Sequence, residues 1–131
     1  MLDHNGWLFS DEITPETSAL QERMILEGAL VPSHWMLEVT NVLAMAERRK
    51  RLSAADAAQF VVYLRGLQIE VDDSLFSRAF DHILPLCRTH QLTSYDAAYL
   101  DLALRSKLPL ASLDDDLRNA AIQLGLAVLG K

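Results

Sequence analysis

The stretch "LTSYDAAYLDLALRSKLPLASLDDDLRNA", residues 92–120, decides the reading of this chain. Thr93 or Ser94 is a helix cap, and the helix it opens runs to about Lys107. "LPLAS" is too short and too apolar for a helix and reads as a buried strand. Residues 115–124 then read as a second helix, with Asp114, Asp115 and Asp116 crowded at its start. Acids are welcome there because the helix N-terminus carries partial positive charge. A strand set between two helices by short connections is the signature of an α/β protein with a parallel sheet.

Working outward, the same alternation continues. Thr14-Pro15-Glu16 reads as a cap, a proline at the first helical position and an acid in the first turn, for a helix that stops near Gly28. "ALVP" is a short apolar run ended by proline, and a helix follows from Ser33 to about Lys50. Ser53-Ala-Ala-Asp56 resembles a capping box whose helix ends at Gly66. "LQIEV", residues 67–71, reads as a strand, and residues 74–90 as a helix that Pro85 kinks or splits. "LAVLG" supplies a last strand. The expected architecture is a three-layer α/β/α sandwich with a mostly parallel central sheet, one domain over residues 1–131.

Composition narrows the function. Half of the 131 residues are apolar, and no run approaches a membrane span. Cys87 is the one cysteine, so an internal disulfide and a cysteine-based zinc cluster are excluded, and with no secretory signal a cytoplasmic location is expected. The net charge of −6 excludes nucleic-acid binding driven by overall field. Any such binding needs a local basic patch, or metal ions that reverse the sign at the site. Arg48, Arg49, Lys50 and Arg51 hold four of the twelve Lys and Arg residues. They either compensate a helix C-terminus or contact phosphates. The five glycines form no phosphate-cradling loop, and His34, His82 and His90 share no metal-like spacing.

Acids inside apolar helices carry the chemistry. In "HWMLEVTNVLAMAERR", residues 34–49, apolar side chains surround the helix almost completely, which predicts burial. Glu38 interrupts it, with Asn41 three residues on and on the same face. A buried lone carboxylate costs several kcal/mol unless paired. Either an arginine or a capped loop satisfies it, or it is a metal ligand. Asp96 and Asp101 interrupt the apolar helix after Thr93; Asp101 reads as a surface ion pair with Arg105 at i,i+4, and Asp96 as a first-turn acid. Glu38, Asp96 and Asp114 have no histidine or cysteine companions, a donor set suited to Mg²⁺ or Mn²⁺. Such clusters serve metal-assisted phosphodiester hydrolysis.

In this order, "WMLEVTNVLAMAERRKRLS", "LTSYDAAYLDLA" and "LPLASLDDDL" resemble the PIN domain, and within it the VapC-type toxins of bacterial toxin–antitoxin pairs. The resemblance covers roughly residues 30–131. It implies an α/β/α endoribonuclease dependent on Mg²⁺ or Mn²⁺, dimeric, cutting RNA and inhibited by a cognate VapB-type antitoxin. Carried over, it implies that Glu38, Asp96, Asp114 and Asp116 are the catalytic acids, with Glu38, Asp96 and Asp114 holding metal. Asn41, Thr93 and Ser112 are the implied supporting residues, and the run at 48–51 is the implied RNA contact.

The beginning of the chain departs from that pattern. The resemblance implies a buried strand ending in Asp, any residue, Ser or Asn, and Asp3-His4-Asn5 has that form with only Met1 and Leu2 before it. Three alternatives stand: Asp3 is a displaced fourth metal ligand, the strand and its acid lie upstream, or the site lacks one carboxylate. The last makes the protein an impaired PIN-like module for antitoxin binding or dimerisation. A phosphoryl-accepting receiver-like domain is disfavoured, because no acidic pair ends a first strand.

Overall fold

A computed structural model describes residues 15–130, so Asp3 and the Thr14 cap lie outside the described residues. The elements are α1 (Pro15–Glu27), β1 (Ala29–Pro32), α2 (Trp35–Arg48), α3 (Ala54–Arg65), β2 (Ile69–Asp72), α4 (Leu75–Arg78), a wide π turn (Ala79–Ile83), α5 (Leu84–His90), α6 (Ser94–Ser106), β3 (Leu110–Ala111), α7 (Asp115–Gln123) and β4 (Val128–Leu129). Caps fall where their chemistry requires. Ser53 Oγ accepts the Asp56 N–H at 3.1 Å, and Thr93 Oγ1 accepts the Asp96 N–H at 3.2 Å. Gln91 and Lys107 close α5 and α6 in the left-handed conformation.

The strands are parallel, as expected. β1 pairs with β2, Ala29 opposite Ile69 and Pro32 opposite Asp72, while β3 pairs with β4, Leu110 opposite Val128. Among the described residues these pairs form two separate halves rather than one continuous sheet. Helix α6 packs against both β1 and β3 and joins the halves. Between them lies a cleft of about 660 Å³, lined by Leu20 and Met24 of α1, Leu30, Ile69, Ala111 and Leu129. Gly28, at φ +77°, turns the chain from α1 into β1, and a Cβ there would collide with the Gln68 carbonyl.

Helix α6 is the centre of the core. Every residue from Ala97 to Ala103 is buried, and Tyr99, Leu100 and Leu102 are sealed together with Leu110 and Leu117. Each such leucine contributes about 1.5–3 kcal/mol. Two sequence expectations fail against this packing. Helix α2 is not buried all round: Trp35 and Val39 face the core, while Met36 and Leu37 are exposed. Asp101 is not a surface acid either, being 5 % exposed. Arg78 Nε and Nη2 donate to its two oxygens at 2.7 and 2.8 Å, and Arg105 Nε approaches at 3.4 Å. Arg105 continues to Asp72 and to the Ser74 hydroxyl. The i,i+4 spacing finds Arg105, but Arg78 lies 23 residues away and only the fold brings it in.

Pro85 does split its helix. With no N–H of its own, it cannot continue the α-helical ladder. The break lies ahead of it, where the Leu84 N–H reaches back to the Ala79 carbonyl in an i→i+5 bond. Among the described residues no helix is long and apolar enough to cross a membrane.

The ionic chain fixes an acid response. The Arg105 hydrogen bond, reinforced by Ser74 and opposed by burial, holds the Asp72 carboxyl down to about 2 from the ordinary 3.8. A carboxyl lowered on folding stabilises the native state above its unfolded value and loses that contribution as pH falls through the folded one. Thermal melts followed by circular dichroism from about pH 5 to about pH 2 will show a falling midpoint, and Asp72→Asn will flatten the decline.

Candidate active site

The candidate residues are placed by connectivity. Glu38 lies in the first turn of α2, after the carboxyl end of β1, and Asp114 follows the carboxyl end of β3. Asp96 lies in the first turn of α6, which runs back through Lys107 into β3. The carboxyl ends of strands are where open α/β sheets bind ligands.

Glu38 is bound to α6 through Tyr99. The Tyr99 hydroxyl, fully buried, donates to Glu38 Oε1 at 2.7 Å. His34 Nε2 stands 3.4 Å from the same oxygen and 3.1 Å from the Tyr95 carbonyl, its ring edge-on to Tyr99. Tyr99, which holds Glu38, and Tyr95, whose carbonyl holds His34, flank Asp96 in sequence. Glu38 and Asp96 therefore belong to the same end of α6. Neither His34 nor Tyr99 stands out in the sequence as a site residue. The signals that point to them are the i,i+4 spacing of His34 and Glu38 and the i,i+3 spacing of Asp96 and Tyr99.

Asp114 is the N-cap of α7. Its Oδ1 accepts the Leu117 N–H at 2.9 Å, and its own N–H donates to Ser112 Oγ at 3.0 Å. Its second oxygen accepts no hydrogen bond among the described residues. Ser112 is fully buried, and Arg118 Nη1 clamps its carbonyl together with that of Leu129, at 2.8 and 2.9 Å. Asp116 and Asn41 are exposed, and Thr93 is the α6 cap already described. Arg48, Arg49, Lys50 and Arg51 are all exposed where α2 ends, with Lys50 at φ 56°.

The donor chemistry is all oxygen, but the count is short. Among the described residues no group of three or more His, Cys, Asp or Glu side chains is arranged to hold a metal ion. The described acids alone do not make a complete metal site.

A family model, the PIN domain, matches residues 1–123. The chain belongs to the PIN domain family. Members of this family are generally nucleases, which supports a nuclease-like role for this PIN domain. The crystal structure of PAE2754 from Pyrobaculum aerophilum superposes with a TM-score of 0.70 at 22 % identity, covering 97 % of this chain and 80 % of that one. That likeness establishes the fold. No curated protein matches the chain.

Cap and charge at Asp114 separate by substitution. Asp114→Ala will cost about 1 kcal/mol in urea unfolding, whereas Asp114→Asn, which keeps the cap, will stay within a few tenths. Tyr99→Phe fills the same space but removes a bond to a charged acceptor, and will cost about 1.5 kcal/mol by the same measurement.

Proposed function

We propose that this PIN domain is an endoribonuclease of the VapC toxin type, dependent on Mg²⁺ or Mn²⁺ and held in check by a cognate VapB-type antitoxin. The observation that carries this reading is the bond that ties Glu38 to Tyr99 of α6, three residues on from Asp96. Two carboxylates far apart in sequence are carried toward one end of α6, Glu38 through Tyr99 and His34, and Asp96 in the first turn. Asp114, capping the helix after β3, is the third acid, with Asp116 beside it, and Asp3 is the further donor under the alternative in which it is a displaced ligand. Asn41, Thr93 and Ser112 support the acids. In phosphodiester hydrolysis a divalent ion supplies Lewis acidity. The exposed run Arg48–Arg51 would meet the RNA backbone, since a chain of net charge −6 attracts polyanions only locally.

A second reading, a PIN-like binding module without catalysis, is favoured by one observation: the described acids stop short of a three-ligand set. Cleavage of a single-stranded RNA with Mg²⁺ or Mn²⁺, with and without chelator, separates the two. The nuclease reading expects metal-dependent cleavage that falls at least about 100-fold in Asp96→Asn. Equal cleavage by wild type and variant, or none by either, sinks it. Asp3→Asn in the same assay tells whether that acid takes part.

A further inference from the structure

His34 belongs to two surfaces at once. Its Nε2 stands 3.4 Å from Glu38 Oε1, and the same residue lines a groove of about 380 Å³ between the π turn, α5 and the start of α6. The groove is aliphatic at Ile83 and Leu84. Two aromatic rings border it, Phe80 from the π turn and Tyr95 from α6, 81 % and 62 % exposed. Tyr95 is also tilted against the His34 ring, with centroids 5.9 Å apart. Polar side chains are few, the Ser94 hydroxyl and the His34 imidazole. A concavity of this size, largely apolar with one or two hydrogen-bonding groups, has the make-up of a ligand site.

We propose that this groove is a nucleobase subsite, in which one base of an unpaired RNA strand stacks on Tyr95 and Phe80 while the backbone runs toward Glu38 and Asp96. It rests on the nuclease reading and specifies the form of RNA taken. With a net charge of −6 the overall field repels a polyanion, so affinity beside the acids has to come from a source indifferent to sign. Stacking on an aromatic face is such a source, and every base has a π face to offer. Position argues the same way. The imidazole that lines the groove also touches Glu38, so a nucleotide next to the bond under attack is within reach of Tyr95. A base inside a duplex is covered by its neighbours and has to be pulled out of the stack, whereas an unpaired base is free to enter. An apolar protein segment would also cover Phe80, but it makes no use of the tie between His34 and Glu38.

Fluorescence anisotropy of a fluorescein-labelled, unpaired oligoribonucleotide tests this, with Ca²⁺ in place of Mg²⁺ to hold back turnover. Tyr95→Ala and Phe80→Ala will each bind about 5- to 150-fold more weakly than wild type, and Tyr95→Phe, which keeps the ring, will bind like it. Both side chains are exposed and His34 bonds the Tyr95 backbone carbonyl, so the variants will keep the wild-type circular dichroism and the support of Glu38. The same oligonucleotide annealed to its complement will bind wild type and variants alike. Alanine variants that hold the unpaired strand as tightly as wild type overturn the subsite, and if wild type still cleaves RNA with Mg²⁺ the nuclease reading stands without it. A wild type that neither binds nor cleaves RNA sinks both. Alanine variants that change the sedimentation of the protein but not its RNA affinity assign the groove to a protein partner and overturn the proposal too.

Discussion

One buried carboxylate sets the position of the helix on which everything else hangs. Asp101 sits in the middle of α6 among side chains with almost no exposure, and a charge there is tolerable only if it is bonded. Arg78 supplies the bidentate partner, and Arg105 extends the chain of charges to Asp72 at the end of β2. Because guanidinium and carboxylate meet in a fixed plane, the pairing fixes the rotation of α6 as well as its place. With α6 fixed, Tyr99 is aimed at Glu38, Asp96 stands at the neighbouring turn, and the two strand pairs have a common surface to pack on.

Much of this was visible in the residues themselves. The caps at Ser53 and at Thr93 or Ser94 are legible because capping is local, decided within three residues of the hydroxyl. "LPLAS" reads as a strand because a run this short and apolar, ahead of an acidic helix start, is too short for a helix. The order of elements, and with it the α/β class, followed. What stayed hidden depends on contacts distant in sequence. Apolar periodicity described α2 as buried on all sides, yet Met36 and Leu37 face outward, since periodicity counts side chains and not the neighbours available to cover them. Asp101 looked like a surface acid because its near partner is four residues on and its better partner is 23 residues back. The division of the strands into two pairs is equally a matter of tertiary register.

The site divides along the same line. Glu38, Asp96 and Asp114 stood out as acids in apolar surroundings, while the groups that hold Glu38 did not. In the sequence His34 shares no metal-like spacing with the other histidines, and Tyr99 is one residue among many in an apolar helix. Their roles emerge only where α2 crosses the start of α6. Asp114 is held by its cap, since its Oδ1 is committed to the α7 backbone. A carboxylate so anchored is pre-aimed, an advantage wherever geometry rather than affinity is limiting.

The wide turn ahead of Pro85 has a consequence for how this gene can change. It accommodates one residue more than an α-helix of the same rise would need, so losing a single codon between Ala79 and Ile83 would restore a regular spiral at little backbone cost. Everything downstream would keep its bearing on everything upstream, because the five residues of the wide turn sweep about the same angle as four of an α-helix. Leu86 and Cys87 would still face the interior. A change of length by one residue is absorbed in this segment without re-aiming the helix that follows.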